Sequence, residues 1–191
     1  MPSRKQDKDG LDAIQLLKQD HEVVRRLFDE FEQAGADRKY ELAAAICEAL
    51  TVHAAIEEEI FYPQVHAAID AEDLMLEAEI EHDTVKQLIE RIQDGEVDET
   101  QLSAIIKVMN EYVNHHVNEE HRRLFPRVKR AQLDLDELGR ELQARKQELE
   151  AELRAAMTEE PGTDDDREAD DGASDRSRGG MAARSPAGDD R

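Results

Sequence analysis

A short stretch occurs twice in this chain, and it constrains the fold more than any other feature. The first copy reads His53-Ala-Ala-Ile-Glu57-Glu58-Glu59-Ile-Phe61-Tyr62-Pro63, and 63 residues later comes His116-Val-Asn-Glu119-Glu120-His121-Arg-Arg-Leu124-Phe125-Pro126. Each copy has a histidine, a glutamate four residues on, an aromatic residue and a proline ten residues after the histidine. On a helix, residues four apart lie one above the other on the same face. Each copy therefore aims an imidazole and a carboxylate at one point, a pairing that suits a transition metal such as iron, manganese or zinc.

A second repeat runs in step with the first. Asp20-His21-Glu-Val-Val24-Arg-Arg-Leu27-Phe28 resembles Glu81-His82-Asp-Thr-Val85-Lys-Gln-Leu88-Ile89, at an offset of 61 residues. The repeating unit is a pair of helices used twice. Ile14, Leu17, His21, Val24, Phe28 and Phe31 form the inward stripe of the first helix, which should end near Gly35. Leu42, Ile46, Ala49, His53, Ile56 and Ile60 form the second, with Pro63 kinking or ending it. A short continuation and a loop should lead to Asp73. Met75, Ala78, His82, Val85, Ile89 and Ile92 mark the third helix, closed by Asp94-Gly95. Leu102, Ile106, Met109, Val113, His116 and Glu120 mark the fourth. Two such hairpins predict an all-α, antiparallel up-down four-helix bundle over residues 11–130.

Beyond the bundle, Leu135, Leu138, Leu142, Leu149 and Leu153 predict an additional helix over 131–157. Lys146 breaks its apolar seam. This helix should pack on the outside of the bundle or contact a protein partner through residues 133–157. Residues 158–191 hold almost no large apolar side chains and read as a disordered acidic tail, and 1–10 as a disordered arm. Only 4% of the residues are aromatic, which argues against a sandwich or barrel. A net charge of −22 excludes nucleic acid and anionic membrane surfaces as favoured partners. Cys47 is the sole cysteine, so a disulfide within the chain and a thiolate cage are both excluded. The charged segment Met1 to Gly10 is no signal peptide, and no apolar run is long enough to span a membrane. A cytoplasmic protein is expected.

One histidine on an apolar stripe is most often a satisfied core residue. Four seams with one each are different, because chance would scatter them around the helices. Buried carboxylates at matching registers need a cation, and these seams hold almost no Lys or Arg. The expected metal ligands are His21, His53, Glu57, His82, His116 and Glu120. His115 and Glu119 share the i+4 spacing, but the proline register favours His116 and Glu120. His66 and His121 read as peripheral, and Cys47 as a small buried apolar group. Tyr62 and Tyr112 read as core or seam residues, with a redox or hydrogen-bonding role near the metal as the lesser alternative.

Together these residues resemble the hemerythrin-like, HHE cation-binding family, over roughly residues 10–130. The resemblance is carried by His21, by His53-x-x-x-Glu57 with its Glu-Glu-Ile-Phe-Tyr-Pro, by Glu81-His82, and by His116-x-x-x-Glu120 with its Leu-Phe-Pro. It implies a bundle holding two non-haem iron ions, with Glu57 and Glu120 bridging and His21, His53, His82 and His116 as terminal ligands. The oxygen-carrying members look to have one more histidine on the third helix, where this chain has Lys86. That departure disfavours an oxygen carrier. The resemblance points instead to a protein that binds or reacts with a small oxidant such as O2, H2O2 or NO, with catalase-like peroxide disposal as one form. Glu22, Glu81 and Asp83 are candidates for hydrogen bonds behind the ligands. Two alternatives stand beside this reading. One is a redox, oxygen or iron sensor signalling through the C-terminal helix and tail, and the other is a structural bundle with a zinc site.

Overall fold

The structure, a computed structural model, describes residues 10–158. The readings of a disordered arm and a disordered tail fall, apart from Gly10 and Thr158, outside the described residues. The chain order is α1 (Ala13–Gln33), α2 (Ala36–Ile56), a π-helical turn (Glu57–Phe61), α3 (Tyr62–Ala68), α4 (Glu72–Gln93), α5 (Glu99–Glu119), a second π-helical turn (Glu120–Leu124), α6 (Phe125–Val128) and α7 (Leu135–Thr158). No strand occurs among the described residues. The long helices α1, α2, α4 and α5 form the four-helix bundle, and α7 is the additional helix.

The first helix of one hairpin and the second helix of the other start in the same way. Asp12 caps α1, accepting from the Gln15 N–H at 2.8 Å while Gln15 Oε1 accepts from the Asp12 N–H at 3.2 Å. Asp98 and Gln101 repeat this box at the start of α5, at the same 2.8 and 3.2 Å. Each box satisfies two backbone donors that the first turn leaves free, a contribution of about 1 kcal/mol.

The two prolines do not end their helices. Helical structure continues through Pro63 to Ala68. A proline cannot donate to the carbonyl four residues back, and its ring collides with that carbonyl. The turn ahead of it widens instead, so that the Tyr62 N–H reaches Glu57 O, five residues back. Pro126 has the same effect: the Phe125 N–H reaches Glu120 O. Each π turn thus begins at a glutamate of the repeated motif, and such turns recur at functional sites.

The core has two apolar clusters. One contains Ile14, Leu17, Ile56, Phe61, Leu124, Phe125, Leu138 and Leu142. The other contains Val24, Phe28, Phe31, Leu42, Ile46, Leu102, Ile106 and Met109. The histidines lie between them in sequence on α1 and α2: His21 falls between Leu17 and Val24, and His53 between Leu50 and Ile56. Burying each such aliphatic side chain contributes roughly 1.5–3 kcal/mol, and that gain offsets the cost of a polar layer between them.

Helix α7 docks on its own bundle. Leu138 and Leu142 are buried in the first cluster, with Leu135 and Leu149 partly buried against it. Gly139 lets the backbones meet, since a Cβ there would run into the chain at Leu11 to Ala13. Arg145 Nε donates to Glu59 Oε2 at 2.6 Å, and Gln64 Nε2 to Glu141 Oε2 at 2.8 Å. Tyr112 departs from its expected place in a seam: it lies 41% exposed. No helix among the described residues is long and apolar enough to cross a membrane.

Candidate metal centre

The four seam histidines come from four different helices and meet in one layer. His21, His53, His82 and His116 are each 6% exposed, Glu57 is 0% exposed and Glu120 3%. His21 Nε2 stands 3.0 Å from His53 Nε2, and His82 Nε2 stands 3.3 Å from His116 Nε2. Glu57 Oε2 lies between the two histidine pairs, 3.3 Å from His53 Nε2 and 3.4 Å from His82 Nε2. Glu120 Oε2 does the same from the other motif, 3.3 Å from His21 Nε2 and 3.8 Å from His116 Nε2. Two triplets result, His21 with His53 and Glu57, and Glu57 with His82 and His116, each with its donor atoms within 4.8 Å of one another. His115 and Glu119 stay out of this layer. The His115 side chain is 59% exposed, and Glu119 accepts an ion pair from Arg123.

The histidines are oriented from behind. His82 Nδ1 lies 2.8 Å from Glu58 Oε1, and His116 Nδ1 lies 3.0 Å from Glu81 Oε2. His53 Nδ1 faces Asp20 Oδ2 at 3.7 Å. An imidazole whose Nδ1–H faces a carboxylate presents a bare lone pair at Nε2, and this is how metal-ligating histidines are held. His21 is the exception, since its Nδ1 meets another imidazole, His121 Nε2, at 3.0 Å. His121 is therefore a neighbour of the site, not the peripheral residue that its register suggests. Glu81, a predicted supporting residue, takes that role. Glu22 and Asp83 do not, and pair with Arg25 and Lys86 at the surface.

Sequence reasoning missed Asp20 and Glu58, and ranked a hydrogen-bonding role for Tyr62 near a metal below packing in the core or seam. The Tyr62 hydroxyl donates toward Glu57 Oε2 at 3.2 Å and Glu120 Oε1 at 3.3 Å, and so spans the two carboxylates. The repeat held a clue to it, since Tyr62 directly precedes Pro63 and follows Glu57 by five residues, the span of the π turn.

The electrostatics fit a cation. Burial, followed by the charge of Glu120, pushes the Glu57 carboxyl well above its ordinary range. Glu57 Oε1 is buried with no hydrogen-bond partner. Burial holds the His53 imidazole down at about 4, and lowers His82 as well, so both are neutral and can coordinate. His116 moves the other way: burial opposes, but the charges of Glu120 and Glu81 prevail and raise it. Burial and the two carboxylates push the Tyr62 phenol well above 10, so it keeps its proton. Donor atoms about 3 Å apart match neighbouring ligands on a metal with bonds of about 2.0–2.2 Å. Mixed imidazole and carboxylate donors suit iron, manganese or zinc.

One wall of the site opens on a cavity of about 220 Å³, lined by Val24, Leu50, Val85, Ile89 and Val113 as well as the histidines. Glu58 and Lys86 also border it, joined by an ion pair of 2.7 Å. Lys86 thus reaches His82 through Glu58.

Comparison with known proteins agrees with this geometry. The model of the hemerythrin HHE cation binding domain family matches residues 12–128. A crystal structure of a hemerythrin HHE cation binding domain-containing protein from Mycobacterium kansasii superposes with a TM-score of 0.67 at 22% identity, covering 78% of this chain and 94% of that one. That likeness shows the fold. A DNA nickase of Nostoc sp. is 28% identical over 124 residues, which are 64% of this chain. The chain spans about a third of that relative's length (35%).

Proposed function

The chain belongs to the hemerythrin HHE cation-binding family, and from that premise we propose that it holds two iron ions and reacts with a small oxidant, peroxide in particular. His21 and His53 would hold one ion, His82 and His116 the other, with Glu57 and Glu120 as the carboxylates shared between them. One observation carries the reading: four imidazole nitrogens converge within 3.0–3.3 Å in pairs, with carboxylate oxygens between them. Where the ring proton sits on Nδ1, the bare Nε2 lone pairs and the carboxylate oxygens that face them repel unless a cation lies among them.

An iron pair bound there supplies redox equivalents and positions at which a small molecule can exchange. The rest is the work of the chain. The apolar cavity excludes bulk water and admits a small neutral molecule. Tyr62 holds a proton between the two carboxylates, where it can be donated to a ligand. Glu58 and Glu81 fix the tautomers of His82 and His116.

DNA nicking is the activity of the Nostoc relative as a whole. It is not favoured for this chain, whose net charge of −22 opposes contact with a phosphate backbone.

The test is metal analysis of protein from iron-replete cells, with visible spectra before and after hydrogen peroxide. Two irons per chain, a spectral change and release of oxygen are expected. One zinc per chain with no spectral response would leave a structural site and end the redox reading. Two irons with no peroxide loss would favour a sensor or carrier.

A further inference from the structure

Three of the four seam histidines are backed by a carboxylate, and each of those carboxylates is backed by a basic side chain. His82 leads to Glu58 and then Lys86, at 2.8 and 2.7 Å. His116 leads to Glu81 and then His115, at 3.0 and 2.6 Å. These two chains run within the matched segment and within one hairpin or its direct neighbour. The third leads from His53 to Asp20 and then to Lys146 on α7, where Lys146 Nζ donates to Asp20 Oδ1. Lys146 lies outside residues 12–128, the segment that the family model matches.

Asp20 needs this lysine. Its side chain is 9% exposed, and it sits in a seam of apolar neighbours on α1. Lys146 Nζ on one carboxylate oxygen holds the other turned toward His53 Nδ1. An Asp20 carboxylate that has lost this cation is free to rotate away, and the ring is then free to place its proton on Nε2, the atom that faces the site. His53 Nδ1 and Asp20 Oδ2 are both buried and face each other at 3.7 Å, beyond hydrogen-bond distance, and neither has a hydrogen-bond partner among the described residues. No other group among the described residues is placed to fix that tautomer.

We propose that Lys146 is a positioning residue for His53: it pins the buried Asp20 carboxylate, and Asp20 holds the imidazole with Nε2 bare and aimed into the metal site. Helix α7 is then part of the centre, and the break that Lys146 makes in the leucine seam of α7 is its contribution. The inference rests on the di-metal reading for its consequence, but the tautomer itself does not depend on metal.

Two readouts on the full-length chain test it. In metal-free protein, the ring nitrogens of His53 are read by long-range proton–nitrogen NMR. The expected result is Nδ1–H in the parent and in Lys146→Arg, for which a neighbouring cavity of about 170 Å³ leaves room. A mixture of tautomers is expected in Lys146→Met, which keeps the aliphatic stem. In protein loaded with ferrous iron, release to a chelator should become biphasic in Lys146→Met. One of the two equivalents should leave about 10–100-fold faster, the usual effect of losing a partner behind a ligand. Arg145→Ala is the control, since it breaks the α7 ion pair to Glu59 without touching Asp20. An unchanged His53 tautomer in Lys146→Met would overturn the proposal. So would equal effects of Lys146→Met and Arg145→Ala, because docking of α7 and not the lysine would then be the cause. Failure of the parent to bind two irons would overturn the di-metal reading but leave the tautomer result standing.

Discussion

His21 Nε2 and His53 Nε2 face each other at 3.0 Å across the two helices of the first hairpin. Glu57, from the same hairpin, closes a triangle with them and then reaches over to His82 at 3.4 Å. It is the one carboxylate shared by both donor triplets. The consequences of this arrangement can be measured.

Glu57→Gln should divide stability from metal binding. In the metal-free protein, burial and the nearby Glu120 charge make an ionised Glu57 unfavourable. The neutral amide removes that repulsion, so the metal-free melting temperature should rise. Metal uptake should fall below two equivalents, because an amide cannot bridge two cations as a carboxylate does. A lower metal-free melting temperature with unchanged uptake would contradict this.

Tyr62→Phe removes a hydroxyl that contacts both Glu57 and Glu120 and nothing from the ring that packs on the core. Two metals per chain should be retained. If the phenol supplies a proton, peroxide turnover should fall by about 100-fold or more, the usual scale for losing a general acid. A rate equal to that of the parent would reduce the hydroxyl to a hydrogen-bonding spacer.

The metal-free protein should lose stability as pH falls from about 6.5 to about 4. Burial holds the folded His53 imidazole at about 4, against 6.5 in an unfolded chain. The unfolded state thus binds more protons in that window, and stability falls with falling pH by up to about 1.4 kcal/mol per unit for such a group. His82 is shifted in the same direction, also by burial. His116 is raised, so its contribution is fully present below about 6.5 and is lost only above that pH, outside this window. Glu57, pushed up by burial and by the Glu120 charge, works against the slope above about 4.5 and offsets part of it. Chemical denaturation across this range should show the decline, and His53→Gln should flatten it. An equal slope in that variant would place the effect elsewhere.

Gly139→Ala sets two effects against each other. An alanine in a helix interior gains about 1 kcal/mol over glycine. Here the added Cβ meets the backbone of Leu11 to Ala13, which cannot swing away as a flexible side chain would. Overpacking typically costs about 1–3 kcal/mol, so the net effect should be destabilising. Thermal unfolding should show a lower midpoint, and proteolysis should cut α7 earlier. A higher midpoint would mean that α7 shifts to accept the methyl group.

The sequence by itself determined the bundle and the inward layer. Helical spacing is a property of one helix at a time, so a His and a Glu four residues apart share a face wherever the helix goes. The repeat at offsets of 61 and 63 residues then sets the second hairpin in register with the first. His21, His53, Glu57, His82, His116 and Glu120 were legible for that reason. The π turns were not, because the sequence shows a proline but not whether the chain will end, kink or widen to accommodate it. The side chains behind the histidines were not legible either. Asp20 meets Lys146 across 126 residues, and His21 meets His121 across 100. Such contacts depend on how far each helix is rotated about its own axis and how closely it approaches its neighbour. Packing of Leu138, Gly139 and Leu142 against α1 sets that rotation for α7, and it turns a lysine that breaks a leucine seam into the partner of a buried carboxylate.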